Sequence, residues 1–98
     1  MNLGLTIATL RKSKGLKQGD FAISCDITQA YLSQIESNKK EPNLSTLKVI
    51  SEKLEIPLPV IFFLSIDIDD VPDKKKVSFD MLQPMVKAFV KEVYETLP

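Results

Sequence analysis

Apolar residues recur along this chain at helical spacing. Leu3, Ile7 and Leu10 fall at i, i+4 and i+7, one face of a helix predicted over residues 3–14. Lys12 and Lys14 suit its C-terminal end, and Gly15 can take the left-handed conformation that stops it. Phe21, Ala22 and Cys25 mark the buried side of a second helix near 18–25. Its start is weakly signalled, because Lys17 is a poor N-cap and Gly19 has low helix propensity, although Asp20 suits the first turn. Thr28 is a good cap for a third helix over 29–37, with Leu32 and Ile35 turned inward. Asn43 caps a fourth over 44–54, with Leu44, Leu47, Ile50 and Leu54 on one face. Ile56-Pro57-Leu58-Pro59 then turns into a fifth over 59–65, where prolines are tolerated at the start.

The pattern breaks after residue 65. Asp67, Asp69, Asp70 and Asp73, with Pro72 among them and Lys74-Lys75-Lys76 following, read as an exposed linker over 66–77. The cluster lacks the glycine and terminal glutamate of a calcium loop. Helical periodicity returns over 78–98 with Leu82, Val86, Phe89, Val93 and Leu97. Pro84 belongs most naturally in a first turn, which predicts a helix proper over 83–96 and a separate or kinked turn at 79–82. The fold class is therefore all-α: a compact five-helix domain over 1–65, a linker, and a C-terminal helix.

Composition narrows the chemistry. The 98 residues contain one cysteine and no histidine, which speaks against a disulfide framework, a zinc site or a thiol–imidazole catalytic pair. No catalytic constellation emerges from the remaining Asp, Glu, Lys and Tyr, so the chain reads as a non-enzyme without metal or cofactor. No apolar run approaches the roughly 20 residues of a membrane span, and the start does not read as a secretory signal. With the lone thiol, this suggests a reducing, cytoplasmic setting. Net charge is zero, but it is unevenly spread. Residues 1–64 carry eight Lys/Arg against six Asp/Glu, or +2, and residues 65–98 carry five against seven, or −2.

Segment 18–38 meets a particular set of steric demands. Two helices crossing closely need a small residue at their contact, supplied by Ala22. The turn between them needs a residue that accepts positive φ, and Asp26 stands where glycine is usual. Ile27, Leu32 and Ile35 supply the inward apolar positions after it. The outer face of the second helix of such a helix-turn-helix must carry hydrogen-bonding side chains, since major-groove base edges are read by paired donors and acceptors.

The ordered set Ile7-x-x-Leu10-Arg11, Lys14-Gly15-Leu16-x-Gln18, Phe21-Ala22, Tyr31-Leu32-Ser33-x-Ile35-Glu36, Pro42-x-Leu44 and Leu47-x-x-Ile50 resembles the lambda-repressor/Cro-like (XRE-type) helix-turn-helix family. The likeness runs from Leu3 to Ser65, about two thirds of the chain. The resemblance implies double-stranded DNA as partner, with Gln29, Ala30, Ser33 and Gln34 facing base edges and Gln29 or Gln34 suited to adenine. It implies DNA-backbone contacts from Gln18, Tyr31, Asn38, Lys39 and Lys40, and a structural ion pair between Arg11 and Glu36. The family pattern also commonly has Ser or Thr at the Lys17 position and glycine at the Glu55 position.

Plain alternatives stand beside these roles. Tyr31 can serve as a half-buried packing residue, Lys39-Lys40 as an ordinary charged loop, and Arg11–Glu36 as a weak surface pair. The C-terminal helix is too short to be stable alone in water, so it must pack on its own domain or on a twin. The sequence favours the twin: a dimeric transcriptional regulator with helix 29–37 in the major groove. The alternative is an antitoxin-like or adaptor module gripping a protein partner with the same C-terminal helix.

Overall fold

Side-chain oxygens start three of the helices, and residues 1–94 are described here from a computed structural model. Asn2 accepts the Leu5 amide at 3.1 Å and opens α1 (Leu3–Ser13). Helix α2 (Gln18–Ser24) follows Lys17, which makes no side-chain cap. Thr28 accepts the Tyr31 amide at 3.0 Å and opens α3 (Gln29–Glu36). Asn43 accepts the Thr46 amide at 2.8 Å and opens α4 (Leu44–Leu54). Helix α5 (Leu58–Leu64) starts after Pro57, with Pro59 in its first turn where no amide is needed. Two 3₁₀ turns, Ile68–Asp70 and Asp73–Lys75, lead into α6 (Lys76–Tyr94).

One stop motif closes all of the first four helices. Gly15, Asp26, Asn38 and Glu55 are left-handed, with φ of 72°, 58°, 60° and 58°. The next amide in each case reaches back into the helix: Leu16 to Arg11, Ile27 to Ala22, Lys39 to Gln34 and Ile56 to Ser51, at 2.8–3.2 Å. The motif satisfies carbonyls that a helix end leaves bare, and it turns Leu16, Ile27 and Ile56 toward the core. Only the first stop uses glycine. The other three accept the crowding of a Cβ in that region.

The core joins Ile7 and Leu10 of α1, Phe21 and Ala22 of α2, and Leu32 and Ile35 of α3. Leu47, Ile50 and Leu54 of α4, Ile61 of α5, and Cys25 and Ile56 complete it within the five helices. Leu44 is the one residue of the predicted α4 face that is exposed, because it sits in the first turn at the edge of the arc. Helix α1 packs on α3 and α5, and Gly4 lies tight against the end of α3. A Cβ there would overlap the Ile35 carbonyl oxygen and lie 2.6 Å from Asn38 Oδ1. No local signal in residues 1–8 announces that requirement.

The C-terminal helix differs from its sequence-based outline. It begins at Lys76 and not at residue 83, so residues 76–77 are helical and Pro84 lies inside the helix. Pro84 is exposed, so water can solvate the carbonyl that the missing amide leaves free. The turn before Pro84 stays helical because Phe79 is half-buried and Gln83 donates to the Ile66 carbonyl at 3.4 Å. Beyond it, Val90 enters the core and Val86 and Tyr94 pack against it. One face of α6 thus docks on the chain's own domain. Leu97 lies outside the described residues.

Candidate nucleic-acid interface

Helix α3 is held by its apolar side and by its last residue. Leu32 and Ile35 are essentially inaccessible, so the positions between them and the next turn have nowhere to point but outward. Gln29, Ala30 and Ser33 are exposed and Gln34 is half-buried, all on the side of α3 away from the core. The Ser33 hydroxyl and the Gln34 amide have no protein partner among the described residues. A short helix fixed from behind and carrying free donors and acceptors in front has the form a major groove accepts.

Behind it lies a buried ion pair. Arg11 Nε donates to Glu36 Oε2 at 2.8 Å and Nη2 to Oε1 at 3.0 Å, a two-pronged contact with both side chains 7% exposed. The Leu16 carbonyl accepts Arg11 Nη1 at 2.7 Å. Such burial is costly for either charge alone, so the pair ties α1 to the end of α3. Gln18 extends the network outward: its Nε2 donates to Glu36 Oε1 at 3.0 Å, and its Oε1 accepts Gln29 Nε2 at 3.4 Å. The side chain of Gln29 is therefore steered from α2. Gly19 leaves the space it occupies, since a Cβ there would stand 3.1 Å from Gln29 Oε1.

The residues expected at the DNA backbone divide into two groups. Lys39 and Lys40 are exposed, and Lys40 Nζ stands 6.0 Å from the centre of the Tyr31 ring. Tyr31 itself is half-buried against the core. The side chains of Gln18 and Asn38 are engaged within the protein. Asn38 Oδ1 accepts the Gly4 amide at 3.0 Å and its Nδ2 donates to Asn2 at 2.7 Å. Asn38 thus holds the start of α1 against the end of α3, a role that spacing alone did not reveal. The left-handed φ of Asn38, favoured for asparagine, was the one local hint.

Cys25 is buried, and burial pushes its thiol above the ordinary value near 9.0, against smaller opposing effects of Ser24 and Lys53. It is a core residue. No group of acidic, cysteine or histidine side chains suited to a metal occurs among the described residues, and no helix among them is long and apolar enough to cross a membrane.

Helix α2 packed on α3 with Ala22 fully buried, a left-handed turn at Asp26 and an outward polar face on α3 define a helix-turn-helix protein. The chain belongs to the XRE-type helix-turn-helix family: the family model described as "Helix-turn-helix" (HTH_3) matches residues 7–61. Among curated proteins it is similar to the immunity repressor protein of Bacillus phage phi105, 33% identical over 61 residues. That match covers 62% of this chain and 42% of the phage protein, so the likeness spans less than half of that relative.

Proposed function

We propose that this chain is a sequence-specific transcriptional regulator that binds operator DNA as a dimer, with α3 in the major groove. The observation that carries the reading is the shape of α3: apolar behind, and in front Gln29, Ala30, Ser33 and Gln34 within two turns. Gln29 and Gln34 each offer an amide donor and acceptor that match adenine N7 and N6. Lys39 and Lys40 flank the end of the helix and supply charge to phosphates, and the Tyr31 hydroxyl is a neutral hydrogen-bond donor for one. Gln18 and Asn38 act there chiefly by fixing their neighbours. The family and the named repressor relative support the same reading. The regulator works in the cytoplasm and needs no cofactor.

Selection of bound sites from a random DNA pool tests it, followed by gel shifts of the selected site in rising salt. A regulator yields a recurrent sequence that survives competitor DNA, with a log–log salt slope of about −0.9 per phosphate contact. A pool that never converges, together with a co-purifying protein, favours an adaptor acting through α6.

A further inference from the structure

Of the first four helices, α2 alone starts without a side-chain cap. Asn2, Thr28 and Asn43 open α1, α3 and α4, whereas the residue in that place before α2 is Lys17, which has no side-chain oxygen to offer. Asp20 in the first turn recovers part of the loss through the helix dipole. We infer that Lys17 holds a phosphate of the DNA backbone, so that this chain gives up helix stability before α2 in exchange for charge beside α3. The inference rests on the DNA-binding reading and adds a contact at the opposite end of α3 from Lys39 and Lys40.

The start of α2 abuts the first turn of α3. Gln18 meets Gln29 at 3.4 Å, and a Cβ at Gly19 would stand 3.1 Å from the same Gln29 side chain. Lys17, the residue before them, is extended, with φ −74° and ψ 146°. Neighbouring side chains of an extended backbone point opposite ways. With Leu16 packed against the core, Lys17 therefore points outward, and it is exposed. It makes no ion pair among the described residues, with Asp20 or with any other acid.

The other polar groups at this end are engaged. Arg11 is bound to Glu36, and Gln18 is held between Glu36 and Gln29. Lys14 is mostly covered and turned toward Glu55 at 3.9 Å. Between Leu16 and Ala22, Lys17 is the one cation and Asp20 the one anion, so without Lys17 this corner would repel the backbone. Helix α3 is 8 residues long and rises about 12 Å, matching a major groove about 12 Å wide. Lys39 and Lys40 follow one end of it and Lys17 stands beside the other. Seated in the groove, α3 thus has a cation toward each of the two phosphate walls.

Gel shifts in rising salt, on the selected site and on an unrelated duplex, test the contact in Lys17→Ser, Lys17→Arg and Lys91→Ser. Thermal melts are taken on the same samples. A phosphate contact is blind to sequence, so Lys17→Ser should reduce the log–log salt slope by about 0.9 on both duplexes. Binding should weaken roughly 5- to 10-fold at about 0.1 M salt. Its Tm should rise by about 4 °C or more, because serine supplies the missing cap. Lys17→Arg should keep the wild-type slope and Tm, and Lys91→Ser, which removes the same charge from α6, should leave the slope unchanged. A Lys17→Ser chain with the wild-type slope overturns the contact, as does an equal loss of slope from Lys91→Ser. A Tm that does not rise overturns the exchange of cap for charge. A DNA pool that never converges, with a Lys17-dependent slope on the unrelated duplex, sinks the regulator and keeps the contact. A converged site whose slope ignores Lys17 does the reverse, and a chain that binds no duplex sinks both.

Discussion

Gln18 donates to the Glu36 carboxylate at 3.0 Å, so the group that neutralises a buried arginine also fixes the side chain under the first turn of α3. Stability and the reading face therefore share one carboxylate. Glu36→Ala leaves Arg11 buried and unpaired and is expected to cost about 3–5 kcal/mol in urea unfolding. The pair Arg11→Met with Glu36→Leu should recover much of that loss. A double variant as unstable as the sum of the singles would mean that the two charges do not act as a pair.

On DNA, Gln34→Ala should lose discrimination at one base pair by about 1–3 kcal/mol while non-specific binding persists. Lys39→Ala should weaken all sequences alike and lower the salt slope by about 1. Both are read by gel shift on the selected site and on single-base variants. If Gln34→Ala binds every sequence as wild type does, the register assigned to α3 is wrong.

Gly4→Ala should be among the most damaging small changes outside the core. Its Cβ meets backbone, the Ile35 and Glu36 carbonyl oxygens, so α1 must lift off α3. Overpacking of this kind costs about 1–3 kcal/mol, and thermal melts should show it as a lowered Tm. Gly15→Ala, which has open space around it but a φ of 72°, should cost about 1 kcal/mol through the backbone alone.

Glu55→Gly should stabilise the protein. Glu55 holds a left-handed φ of 58° at the end of α4, and its contact with Lys14 is 3.9 Å long with the carboxylate 84% exposed. Relief of the Cβ crowding is expected to gain about 1 kcal/mol, a rise in Tm of roughly 4–8 °C for a domain of this size. An unchanged or lower Tm would show that the exposed ion pair outweighs the strain.

Cys25 should resist thiol reagents in the native state and react quickly in urea, since burial both covers the sulfur and raises its pKa. The raised folded value sets the sign of a pH effect. The thiol's contribution to stability is complete below the ordinary value near 9.0 and is lost as pH rises through the folded value. The stability of Cys25→Ala should fall less steeply than wild type as pH rises from about 9.0 toward the folded value. Parallel slopes for the two would count against the buried thiol.

Much of the helix plan was legible because its signals are local. Thr28 and Asn43 cap the helices that their side chains predict, and Ile7, Leu10, Leu32 and Ile35 point where their spacing directs them. The left-handed stops at Gly15 and Asp26 were also readable, since positive φ is a property of single residues. Asn38 was less so. Its neighbours along the chain do not disclose that Gly4 and Asn2 lie across from it, 34 and 36 residues away. Pro84 pointed to a helix start, yet Gln83 has a tertiary partner in the Ile66 carbonyl and Phe79 is half-buried, and the preceding turn is helical.

The sequence by itself determined an all-α chain with a helix-turn-helix and an outward glutamine-bearing face, because periodicity, caps and turn residues act over a few positions. Tertiary structure alone decided that Gly4 permits α1 to meet α3 and that Gln18 links Glu36 to Gln29. It also divided the apolar surface of α6, giving Val86, Val90 and Tyr94 to the core and leaving Leu82, Met85, Phe89 and Val93 exposed. A hydrophobic helix face states only that it must be buried. What buries it depends on which surfaces the rest of the chain has left open.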